Sequence, residues 1–213
     1  MKKINAYLLF TGWRYRLGIF LGIPAAVLAG GFFWRCLEVE TGFGYLVVMG
    51  IIFAETVADR GIFSGIQTHR GYRLDFLKTS PVGQKILFQG LCGDLARRLL
   101  TAAVCVGGGR GVQILDTGEG WAGCLGTVLT VYFAEALGLF ISRFTRSAIL
   151  CLYTAYGCVA AGMILYTLIR NIAPPWLWAA DTALGLAAAA VSALVVRTGM
   201  KRWRGTYSDT DCL

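Results

Sequence analysis

Residues 67–85 read QTHRGYRLDFLKTSPVGQK and form the longest polar interruption in an otherwise apolar chain. On either side the apolar residues run in segments of roughly 20, the length that a bilayer core about 30 Å thick asks of helices rising about 1.5 Å per residue. The composition agrees. Of 213 residues, 56% are hydrophobic and 15% charged, and the mean hydropathy is +0.62, whereas soluble domains carry about 25% charged residues. Because the apolar residues run continuously instead of alternating, the pattern is that of helices and not of a β-barrel. The expectation is an all-α integral membrane protein forming a single transmembrane domain over residues 1–213.

Working outward from that interruption gives six expected spans, at residues 17–34, 42–57, 86–109, 121–141, 148–169 and 176–196. Residues 1–16 interleave Ile4 and Leu8 with Lys2, Lys3, Arg14 and Arg16 and end in Trp13 and Tyr15, so they are expected to lie along the membrane surface as an amphipathic helix. No short apolar core with a small-residue cleavage site follows, and the first span is expected to remain in the protein. Gly18 and Gly22 in that span have the spacing that lets a second helix approach closely. Pro174 and Pro175 mark the turn between the last two spans. Residues 58–85 are left as a connecting loop and 197–213 as a tail.

Fifteen of the twenty lysines and arginines fall on one side of this arrangement, three (Arg35, Arg110 and Arg170) on the other, and Arg97 and Arg98 inside the third span. Basic residues accumulate in cytoplasmic loops. Both termini and the 58–85 loop are therefore expected in the cytoplasm of a multi-pass plasma membrane protein, and the net charge of +8 reads as a topology signal, not as a nucleic-acid surface.

Ionisable residues inside spans are costly and usually face a bundle interior or a wet cavity. Of these, Glu55, Asp94, Arg98, Glu135 and Asp181 are candidates for a translocation path or for helix contacts. In the third span Gly90, Asp94, Arg97, Arg98, Thr101 and Cys105 share one stripe, which should face protein or water, and Asp94 can pair with Arg98 one turn on. Glu55 and Asp181 sit near span ends, where solvation at headgroup level is the plain expectation. Glu135 lies deeper and is the strongest candidate for a functional carboxylate.

The remaining chemistry is sparse. Seven cysteines form no C-x-x-C pair and read as small buried hydrophobes, not as metal ligands. Gly107, Gly108 and Gly109 followed by Arg110 lack the G-K-[ST] ending of a phosphate loop and should end or loosen a helix. The single histidine is His69, and neither H-E-x-x-H nor G-x-S-x-G occurs, so no catalytic residue is assigned and an enzyme is not expected. No cofactor is expected in this chain.

Within the polar interruption, Arg70-Gly71, Leu74-Asp75, Leu77 and Ser80-Pro81-Val82 resemble the loop of type-2 permeases, the membrane subunits of ATP-binding-cassette exporters. That loop has a charged pair, then Gly-Thr-Leu-Glu, an apolar residue, Leu, and Ser-Pro-Val or Leu-Pro-Val; here Tyr72-Arg73 adds one residue. The layout is similar too, with a surface helix, six spans, cytoplasmic termini and the longest inner loop between spans two and three. The resemblance implies a bacterial exporter moving a peptide, drug or lipid-like substrate, with ATP and Mg bound by a separate ATPase subunit, and a homodimer or a pairing with a second permease. It implies that Arg70, Gly71, Leu74, Asp75, Phe76, Leu77, Ser80, Pro81 and Val82 couple the two subunits. Independently of the family, a short helix here, ended by Pro81, could place Phe76 and Leu77 in a groove of a soluble partner within a rim of Arg73, Asp75 and Lys78. The alternative is an ATP-independent channel or secondary carrier working through the polar stripe of the third span.

Overall fold

The computed structural model of the protein describes residues 17–37, 43–67, 80–111, 115, 120–142 and 148–205. The expected surface helix at 1–16, the coupling positions Arg70 to Leu77 and the end of the tail lie outside these residues. The described residues form six helices and no strand: α1 (Ile23–Cys36), α2 (Phe43–Gln67), α3 (Pro81–Gly111), α4 (Gly120–Ser142), α5 (Ala148–Arg170) and α6 (Pro174–Gly205).

Three of these are long and apolar enough to cross a membrane, over Gly120–Ile141, Ile149–Arg170 and Pro175–Lys201. Two shorter apolar helices cover Gly18–Trp34 and Gly44–Val57. α3 is long, but its buried stripe carries Asp94, Arg97 and Arg98. The distribution of side chains is compatible with a membrane protein: Leu21, Phe32, Phe33, Ile164 and Leu186 are exposed while Glu55, Asp94, Arg98 and Glu135 are fully buried. Water-soluble folds place these classes the other way round.

α4 is the hub, packing against α2, α3, α5 and α6, and α5 also packs on α2. Its apolar stretch is 56% buried, against 17% for α6 at the edge. The main core joins Val48 and Ile51 of α2, Val106 of α3, Val131 of α4 and Val159 and Tyr166 of α5. Buried hydroxyls close on their own helices, as when Thr127 donates to the Gly123 carbonyl and Thr130 to that of Gly126, each at 2.8 Å. These hydroxyl donors are therefore not left stranded.

Several local features differ from the sequence expectation. α1 is preceded by a π turn over Gly18–Gly22, in which the Ile23 N–H donates to the Gly18 carbonyl. The wider turn fits Pro24, whose ring would crowd the carbonyl four residues back in a regular helix. Among the described residues no other helix lies against Gly18 or Gly22. Helices meet instead where a Cβ on Gly138 would lie 3.0 Å from Thr56 Oγ1 and one on Gly126 would lie 2.5 Å from Asp181 Oδ1.

The connecting loop is shorter than 58–85, because α2 continues to Gln67 and α3 begins at Pro81. Pro81 opens α3; the short helix expected before it falls on residues outside the described ones. The Val82 N–H donates to Ser80 Oγ at 3.2 Å, so Ser80 caps the first turn, and proline at the first helical position costs nothing because its missing N–H would have had no partner. α4 starts at Gly120 with φ +68°, a left-handed conformation that glycine adopts freely, and the Gly120 carbonyl accepts from Arg110 at the end of α3.

Candidate functional site

The polar residues of the three inner helices converge. On α2, Ile51, Ile52, Glu55 and Thr56 lie on one buried face, the i, i+1, i+4, i+5 pattern of a helix pressed against neighbours. The stripe of α3 holding Gly90, Asp94, Arg97, Arg98, Thr101 and Cys105 is buried along its whole length, so it faces protein.

Reaching from α3 to α2, Arg97 grips Glu55 with both arms of its guanidinium, Nη1 to Oε1 and Nη2 to Oε2 at 2.6 Å each. Arg98 reaches Glu55 Oε2 at 2.9 Å and the Glu55 carbonyl at 3.1 Å through Nη1. Asp94 accepts from both, from Arg98 Nε at 3.2 Å and Arg97 Nη2 at 3.3 Å. The Asp94–Arg98 pair is the one-turn contact its spacing predicts. These side chains are at most 3% exposed. Two forks shared between two carboxylates form a charge-assisted network, and in so dry a place each charge depends on its partner.

Glu135 comes to this network from α4. It is fully buried, within electrostatic reach of Glu55, Arg98, Arg97 and Asp94, and neither carboxyl oxygen has a hydrogen-bond partner among the described residues. Three residues earlier, Tyr132 is joined to Ser192 of α6 at 2.8 Å. One turn from the network, Thr101 returns its hydroxyl to the Arg97 carbonyl at 3.1 Å.

Four of the five ionisable candidates, Glu55, Asp94, Arg98 and Glu135, are thus brought together. Asp181 stands apart. It is buried against Gly126 of α4 with both carboxyl oxygens unpartnered, nine residues before Glu135, about 13 Å along the helix axis. Two expectations are corrected: Glu55 and Asp181, read as solvated at headgroup level, are 0% and 3% exposed inside the bundle. Arg97, placed on the stripe by the sequence but not among the candidates, makes the shortest contacts of the site. The available signal was an apolar run carrying a lone glutamate and a neighbouring run with one acid and two bases.

Ser80, Pro81 and Val82 are placed at the start of α3, with Val82 exposed. Cys105, Cys124, Cys151 and Cys158 are buried, while Cys36 and Cys92 are exposed. Among the described residues no group of three or more histidines, cysteines, aspartates or glutamates is arranged to hold a metal ion. No family model matches this chain, and no curated protein or solved structure does so either. The fold and site therefore define a class only, an all-helical bundle with an apolar exterior and a charged interior.

Proposed function

We propose that the chain is the membrane subunit of an ATP-driven type-2 exporter of the plasma membrane, with six spans, both termini in the cytoplasm, and a second permease, identical or similar, completing the transport unit. The observation that carries the reading is the segment between α2 and α3. Its Arg-Gly, Leu-Asp-x-Leu and Ser-Pro-Val residues have the order of the exporter coupling loop, and its last three positions cap and open α3. A partner pressing on that segment would act directly on the first turn of α3, the helix that carries Asp94, Arg97 and Arg98 thirteen to seventeen residues on. The substrate belongs to the peptide, drug or lipid-like class that such exporters move.

The test is co-purification of the full chain with the candidate cassette ATPases encoded beside it, in the presence of ATP and Mg. The expected result is a stable complex that is lost on Phe76→Ala with Leu77→Ala, and weakened by Pro81→Ala. Retention of the ATPase by these variants would remove the coupling role from the segment. Failure of every ATPase to bind would favour an ATP-independent channel or secondary carrier, a reading that the buried polar stripe of α3 also suits.

A further inference from the structure

The contacts between α4 and α6 climb both helices together. Gly126 meets Asp181, Leu129 meets Gly185, Tyr132 meets Ser192, and Leu139 shares a core cluster with Val195, so the two helices run in the same direction. This register sets a carboxyl against a glycine. A Cβ on Gly126 would lie 2.5 Å from Asp181 Oδ1 and 2.8 Å from Ile169 Cγ2 of α5, which places the Asp181 side chain against the α4 backbone beside α5. Asp181 is 3% exposed, and neither of its carboxyl oxygens has a hydrogen-bond partner among the described residues. What Oδ1 meets is the Cα–H side of Gly126, at best a weak donor.

The titratable and charged groups around this contact are few. On α4 they are Cys124, two residues before Gly126, then Tyr132, which is tied to Ser192, and Glu135 beyond it. On α5, Tyr166 and Arg170 flank Ile169, the first edge-on against Tyr45 and the second exposed. On α6 none other precedes Arg197. Asp181 is also shallow. It follows Trp176 by five residues and Trp178 by three, as Gly126 follows Trp121 by five, and all three tryptophans are exposed. Tryptophans of spanning helices gather at headgroup level, so the carboxyl lies about 7.5 Å below it at most.

An ionised carboxylate buried without a donor is strongly disfavoured, and the group neutralises instead. Among the described residues no group of acidic, histidine or cysteine side chains is arranged to hold a metal ion. The smallest cation remains.

We propose that Asp181 is a proton-binding site at the tryptophan end of the bundle, filled while α6 is packed on Gly126 of α4 and emptied when that contact opens. In the packed state the carboxyl is a neutral acid and the contact buries no charge. When the first turns of α6 part from α4, water reaches the carboxyl from headgroup level. The O–H bond then breaks, its electron pair stays on the carboxylate, and the proton passes to water. Closing the contact takes one proton back. The packing of α6 and the occupancy of Asp181 are thereby a single equilibrium. Because the packed state holds the extra proton, raising the pH weakens the contact, by about tenfold per pH unit while the opened carboxyl is ionised and the packed one is not. The argument rests on the seam between α4 and α6 and not on the exporter reading.

The test compares the purified full chain with Asp181→Asn, whose neutral amide fits the same space, by infrared spectroscopy in lipid membranes at neutral pH, in H2O and D2O. The difference spectrum is expected to contain the C=O band of one protonated carboxyl, shifted in D2O, while Glu135 is common to both proteins and cancels. A difference showing only carboxylate bands would overturn the proposal. Denaturation in mixed micelles reads the coupling. From mildly acidic to neutral pH the unaltered chain should shift toward the unfolded state by up to about tenfold per pH unit relative to Asp181→Asn, and parallel pH profiles would overturn it. Should Asp181→Asn not fold, Asp181→Leu takes its place in both measurements. Failure of both neutral side chains to support folding would mean that the site needs its charge, which also overturns the proposal. No ATPase is present in either experiment, so neither result bears on the coupling role of residues 70–82.

Discussion

Replacing Arg98 by methionine puts the ion cluster to a quantitative test. Arg98 is fully buried and holds Asp94 Oδ2, Glu55 Oε2 and the Glu55 carbonyl. Methionine keeps most of the volume, so the loss is electrostatic. It takes from Glu55 and Asp94 one of the two guanidiniums they share among the described residues, and removing one partner of a buried ion pair costs about 3–5 kcal/mol. Helices denatured within micelles retain some polar partners, which lowers the measured share, and a loss of about 3 kcal/mol is expected. The charge count then makes a second demand. Adding Asp94→Asn removes the carboxylate that Arg98 served, leaves Arg97 with Glu55, and should restore about 2 kcal/mol of that loss, although Asp94→Asn alone destabilises. The assay is a double-mutant cycle on the purified chain in mixed micelles, followed by tryptophan fluorescence during denaturation. Losses for Arg98→Met under about 0.5 kcal/mol, or a double variant whose loss is the sum of the singles, would refute the network.

Gly126→Ala should cost roughly 1–2 kcal/mol by overpacking, since the new Cβ would lie 2.5 Å from Asp181 Oδ1 and 2.8 Å from Ile169 Cγ2; the same denaturation assay showing no loss would mean that α4 and α6 do not approach this closely. Among the described cysteines, a membrane-permeant maleimide should modify Cys36 and Cys92 in the folded protein and reach Cys105, Cys124, Cys151 and Cys158 only after denaturation. Mass spectrometry of the peptides reads the pattern, and early modification of Cys105 would argue that the face of α3 beside Glu135 is open.

The helices were legible because lipid enforces them: a backbone that cannot bond to solvent must bond to itself, and apolar runs mark where that holds. The stripe of α3 was legible for the same geometric reason, since residues three and four apart share a face whatever surrounds it. The partner of Glu55 was not. Which of its faces α2 turns toward α3 depends on how Ile51, Val106 and Val131 pack together, and that is decided among three helices at once. The third helix starts at Pro81 instead of residue 86 for a local reason, because the serine before the proline supplies the capping oxygen that opens it. The π turn at Gly18–Gly22 was not legible, because it answers to the proline that follows and not to the glycines themselves.

The charges of α3 bear on how the chain is assembled. On a six-span topology α3 must enter the bilayer carrying Asp94, Arg97 and Arg98, and each such residue at a helix centre opposes insertion by about 2.5–3.5 kcal/mol. The apolar residues of α3 offset little of this, whereas α2, synthesised first, carries the carboxylate that Arg97 and Arg98 both grip. α2 and α3 should therefore leave the translocon as one hairpin, with Glu55 acting as an internal escort for the helix behind it.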